Sequence, residues 1–103
     1  MFYQITRWSR HVPVDTPRAE ELFSQMKRDW SKTKVRNMQR LNIVEGVHAG
    51  KQLVVIQFSS REDWKAWHDA TGAELARVNA EIETTGCKRE EVILAEQAEG
   101  LFF

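Results

Sequence analysis

With 103 residues, 42% of them apolar and 29% charged, the chain suffices for one domain with a thin core and is too short for two. Its formal charge of zero argues against a polyanion binder, and its single cysteine excludes an intrachain disulfide scaffold. No run approaches the ~18 apolar residues of a membrane span, and the opening MFYQITRWSR lacks a signal-peptide core, so a cytoplasmic location without membrane contact is expected.

Residues 1–8, Met-Phe-Tyr-Gln-Ile-Thr-Arg-Trp, are aromatic and β-branched over a short span and predict a strand. A loop punctuated by Pro13 follows. Asp15-Thr16-Pro17 then predicts a helix start, with a side-chain oxygen to cap and a proline pre-set for the first turn. Ala19, Leu22, Phe23, Met26 and Trp30 recur at spacings of three and four, which predicts a helix over 16–30 with one apolar stripe. Residues 33–45 read as extended with imperfect alternation. Val35, Leu41 and Ile43 share one parity while Met38 and Val44 share the other, as a bulge or an edge position would allow. Gly46 to Gly50 supply a hairpin turn, and 51–58 is the clearest strand. Ser59 and Glu62 form the pattern of a capping box opening a second helix. Trp64, Trp67, His68, Thr71, Leu75, Val78 and Ile82 trace one of its faces, Gly72 weakens it enough to allow a break, and Gly86 ends it. Residues 90–96 predict a last strand, and Leu101-Phe102-Phe103 is an apolar tail.

The order strand, helix, strand, strand, helix, strand predicts one α+β domain over 1–103, a ferredoxin-like βαββαβ fold with an antiparallel sheet. Both helices then cover one sheet face, and a strand with one wet face should alternate polar and apolar. These strands do not. Leu53 and Val55 oppose Val54, Ile56 and Phe58; Val92 and Leu94 oppose Ile93 and Ala95; Tyr3 and Ile5 oppose Phe2 and Trp8. An apolar patch of that extent predicts a homodimer through the open sheet face, with the tail as a possible extension of the contact. The first 51 residues carry ten basic against five acidic side chains and the remainder the reverse. Charges that meet again inside one folded domain account for this, and so would two protomers matching opposite patches, with the first the simpler account.

The segment Phe58-Ser59-Ser60-Arg61-Glu62-Asp63-Trp64-Lys65-Ala66-Trp67-His68 resembles the antibiotic-biosynthesis-monooxygenase-like (ABM) group of the dimeric α/β-barrel superfamily. The shared features are a strand ending in an aromatic, a short Ser-x-Glu helix start, and a histidine about one helical turn after an aromatic. The resemblance implies a pocket in each protomer between helices and sheet. For some members it also implies oxygenation of phenols and quinols without a cofactor, where the protein holds an ionised phenol in a dry pocket beside a base. On that resemblance His68 is the candidate catalytic residue, Trp64 and Trp67 are pocket walls, and Tyr3 or Arg7 are polar partners from the first strand. The ligand is then an aromatic small molecule and no cofactor is required. The alternative is a non-catalytic dimer of the same fold that binds a small ligand or a protein. The residues also fit plainer roles. His68 lies at the flank of the apolar stripe, where a histidine bonded to backbone or water would sit, both tryptophans fit a core, and Arg7 fits a solvated surface.

Other chemistries are poorly served. Haem-degrading relatives use a first-strand asparagine and a histidine nine or ten residues after a helical tryptophan. Here Ala73 and Glu74 follow Trp64 at that spacing, Ala76 and Arg77 follow Trp67, and the first strand has no asparagine. An RNA-recognition sheet needs stacking rings on its third strand, where this chain has Leu53, Val54, Val55 and Ile56. His11, His48 and His68 are far apart with no metal-ligand spacing. Cys87, beside Lys88 and Arg89 in a turn-like stretch, reads as an incidental surface thiol rather than a nucleophile.

Overall fold

A computed structural model describes residues 1–10, 16–30 and 33–98, with backbone alone at 16 and 27–30. The chain runs β1 (Phe2–Arg10), α1 (Thr16–Trp30), β2 (Asn37–Asn42), β3 (Gln52–Phe58), α2 (Arg61–Glu83) and β4 (Cys87–Glu96). The strands form one antiparallel sheet in the order β2-β3-β1-β4. This is the ferredoxin-like α+β arrangement that the element order predicts.

Period two splits the sheet into two faces. Directly opposed residues share a face, so the pairs Phe2–Phe58, Gln4–Ile56 and Thr6–Val54 stand together with Trp8 on the side the helices cover. Ala19, Leu22, Phe23 and Met26 of α1 and Trp67 and Ile82 of α2 complete the core, in which Phe58 and Ile82 are wholly inaccessible. The other parity, Tyr3, Ile5 and Arg7 on β1 with Leu53 and Val55 on β3, forms the open face and is half-buried by its own neighbours. Ile5 lies between Val55 and Ile93 in register, while Leu41 pairs with Leu53. Leu41 is 45% and Ile93 42% exposed, so the apolar open face is real.

Several local expectations shift. Strand β2 is shorter than residues 33–45, and its register with β3 is unbroken, so its mixed pattern comes from its edge position and not from a bulge. The irregularity lies instead between Arg7 and Trp8 in the β1–β4 ladder. The cap of α2 is Ser60 rather than Ser59: its hydroxyl accepts from the Asp63 amide at 3.1 Å, while Ser59 accepts from Arg36. Helix α2 passes Gly72 without a break, because about 1 kcal/mol of lost propensity is small beside the packing of a 23-residue amphipathic helix. Cys87 is no surface thiol: it opens β4 with 5% exposure and joins the core. The hairpin is as expected, with Gly46 and Gly50 at φ of +100° and +88°, conformations that glycine adopts without steric cost. The Asp15 cap, the Pro13 loop, His11 and the Leu101–Phe103 tail lie outside the described residues.

Candidate functional site

One flank of α2 packs on the sheet through Trp64 and Leu75 yet leaves a gap beneath it. Trp64, His68, Gly72, Leu75, Ala76 and Asn79 recur at helical spacing and roof a cavity of about 270 Å³. Its floor is the covered side of β1, namely Gln4, Thr6 and Trp8, continued by Val54 and Ile56 of β3. Phe23 and Met26 of α1 close one end. At the other, Val92 and Leu94 of the edge strand line the cavity while remaining 47% and 42% exposed, which places the mouth there. The size lies near the lower end of small-molecule pockets and suits a one- or two-ring ligand.

The walls are held by hydrogen bonds and ring contacts. Trp64 Nε1 donates to Gln4 Oε1 at 3.0 Å, and its ring meets Phe2 at a centroid distance of 5.6 Å. The His68 imidazole stacks on Trp64 at 5.1 Å with 18° between the planes, an i,i+4 contact on one helix face. Trp8 Nε1 donates to Thr6 Oγ1 at 2.9 Å, and the Trp8 ring meets Phe23 edge-on. Gly72 lines the roof, and a Cβ built there would meet no atom within 4 Å. Its lack of a side chain therefore contributes directly to the open volume.

The structure brings Trp64 and His68 together at the cavity and leaves the other three expected site residues elsewhere. Trp67, three residues beyond Trp64, turns toward the filled side of the core and packs on Phe58 at 5.2 Å. Tyr3 and Arg7 have the wrong parity: on a strand, odd and even positions point to opposite faces, and theirs is the open one. The Tyr3 hydroxyl accepts from Gln57 Nε2 at 3.4 Å, and Arg7 forms ion pairs with Glu90 and Glu91. Lys51 Nζ joins that network at 2.8 Å from Glu90. The Glu90 carboxyl is held below the usual carboxylate range, first by the Lys51 hydrogen bond; desolvation opposes the shift and the Arg7 bond reinforces it.

The polar residues that β1 does bring to the cavity are Gln4 and Thr6, and β4 adds Arg89. Parity with Phe2 and Trp8 was the available signal for the first two, since both sit between core aromatics of the same face. Arg89 pairs with Trp8 across the strand bulge, and no sequence pattern announces that. Among the described residues, no three His, Cys, Asp or Glu side chains gather as a metal would require, and no helix is long and apolar enough to cross a membrane.

No family model matches the sequence, and no curated protein matches it. Among solved structures the chain is similar to one from Deinococcus radiodurans described as a "putative antibiotic biosynthesis monooxygenase", with a TM-score of 0.69 over 100% of this chain and 98% of that one. The two sequences are 8% identical, so the likeness establishes a shared ferredoxin-like α+β fold.

Proposed function

We propose that the cavity holds an aromatic small molecule and that the chain is an ABM-like, cofactor-independent oxygenase, with His68 as its base. It would work in the cytoplasm as a homodimer joined through the open sheet face. The observation that carries the reading is the stacked Trp64–His68 pair on the wall of a cavity whose other walls are chiefly apolar. A ring lying along Trp64 would place a phenolic oxygen within reach of the imidazole. Neutral His68 would take the phenol proton, and the resulting phenolate would supply the electrons that react with oxygen. The line of Ile5, Val55 and Ile93 supports the dimer, because an apolar face of that kind is poorly suited to water.

One observation favours a binding module without catalysis. His68 is exposed and has no hydrogen-bond partner among the described residues, so no third group orients it as bases are usually oriented. Oxygen uptake over a panel of phenols and quinols decides between the two. The oxygenase reading expects uptake that falls about 10²- to 10⁴-fold in His68→Ala with the melting temperature almost unchanged. Uptake equal in both proteins would retire His68. Ligand-induced tryptophan quenching with no uptake at all would establish the binding module.

A further inference from the structure

We propose that the cavity selects an aromatic carboxylate, and that Gln4, Thr6 and Arg89 are the residues that select it. The proposal rests on the cavity being a small-molecule site. An indole nitrogen can only donate, so each tryptophan fixes the polarity of the side chain it touches. Trp64 takes the Gln4 carbonyl oxygen, which turns the Gln4 amide NH2 away from it. Trp8 donates to the Thr6 oxygen, which leaves the Thr6 hydroxyl hydrogen to be given elsewhere.

Both side chains are buried, both line the cavity, and neither set of remaining hydrogens has an acceptor among the described residues. Each indole has thus taken one lone pair of its partner oxygen, and the hydrogens left on the floor are donors without an acceptor among the described residues. A ligand that displaces water from this floor must bring acceptors, or the buried donors go unpaired.

Arg89 adds charge of the matching sign. It lines the cavity, and no ion pair engages it among the described residues. The bulge explains why. The adjacent Glu90 and Glu91 are both turned to the open face, where Arg7 and Lys51 hold them. No acidic side chain lines the cavity among the described residues. Donors on two residues of one strand face call for two acceptor oxygens, and a guanidinium matches a carboxylate in charge and shape. A carboxylate brings both oxygens, whereas a phenolate brings one. The indole rings and aliphatic walls then enclose the aromatic body.

Calorimetric titration of the full chain with 1-naphthoate and with 1-naphthalenemethanol at pH 7.5 tests this, since the two differ in anionic oxygen and little in bulk. The expected result is naphthoate binding at least tenfold tighter than the alcohol. Arg89→Gln, at an exposed position, should cut that preference several-fold. Gly72→Leu should abolish naphthoate binding by filling the roof. Equal binding of both ligands would overturn the carboxylate selection while leaving the cavity as a small-molecule site. Binding of neither would overturn the cavity reading itself. An undiminished preference in both Arg89→Gln and Gln4→Glu would overturn the residue assignment, and naphthoate binding that survives Gly72→Leu would place the ligand elsewhere.

Discussion

The two faces of the sheet are lined by much the same kinds of residue and end in different surroundings. On the covered face Phe2, Val54, Ile56 and Phe58 meet α1 and α2 and become core. On the open face Tyr3, Ile5, Leu53 and Val55 meet only their strand neighbours and stay half-buried. The polar residues differ more. Those of the open face, Arg7, Lys51, Glu90 and Glu91, satisfy one another in a charged network at one end of the apolar patch. Those of the covered face, Gln4 and Thr6, are neutral, bonded to indoles, and placed where α2 fails to fill the space above them. Gln4 and Thr6 thus lie on the floor of the hollow in this core, each bonded to an indole that also lines it.

The largest expected effect tests whether the open face is an interface. Val55→Lys places a charge at its centre, and an unpaired buried lysine costs several kcal/mol. Light scattering should then give the chain mass of 12.0 kDa in place of twice that value for the parent. A dimer of normal mass would remove this face from the contact. On the covered face, Phe58→Ala should cost about 3–5 kcal/mol in urea unfolding, as large-to-small changes in filled cores do. A loss below about 1 kcal/mol would mean that the covered face is packed no better than the open one.

A smaller effect sharpens the contrast within the covered face. Gly72 has ordinary helical geometry and open space where its Cβ would be, so Gly72→Ala should raise stability by about 0.5–1 kcal/mol. A loss of stability would show that the roof is closer to the sheet than the cavity implies. The smallest effect belongs to the charged network. Because the Glu90 pKa is lowered on folding, its contribution is present above the ordinary carboxylate range and disappears as pH falls through the lowered value. Glu90→Gln should therefore melt slightly below the parent at pH 7 and converge with it in acid, with a modest gap because the network is exposed. A gap that persists in acid would trace the difference to something other than ionisation.

Much of the candidate site was legible at one end only. Trp64 and His68 share a helical face by simple periodicity, and the structure keeps them together on the cavity wall. Trp67 lies on that same broad stripe, yet a rotation of about 60° between positions three apart carries it to the filled flank. The resemblance offers Tyr3 or Arg7 as polar partners from the first strand, and strand parity sends both to the far side of the sheet.

Local chemistry carried in the sequence determined the elements, their order and hence the fold: apolar spacing set the helices, β-branched runs set the strands, and glycine set the β2–β3 turn. Alternation also determined which residues share a face, because that depends only on the two-residue period of a strand. It could not determine which face the helices cover, since both parities are apolar here. That choice, the bulge that separates Arg89 from Glu90 and Glu91, the burial of Cys87, and the gap above Gln4 and Thr6 all depend on contacts between residues distant in the chain. Tertiary packing alone decided them, because the free energy of a buried side chain belongs to the neighbours that bury it.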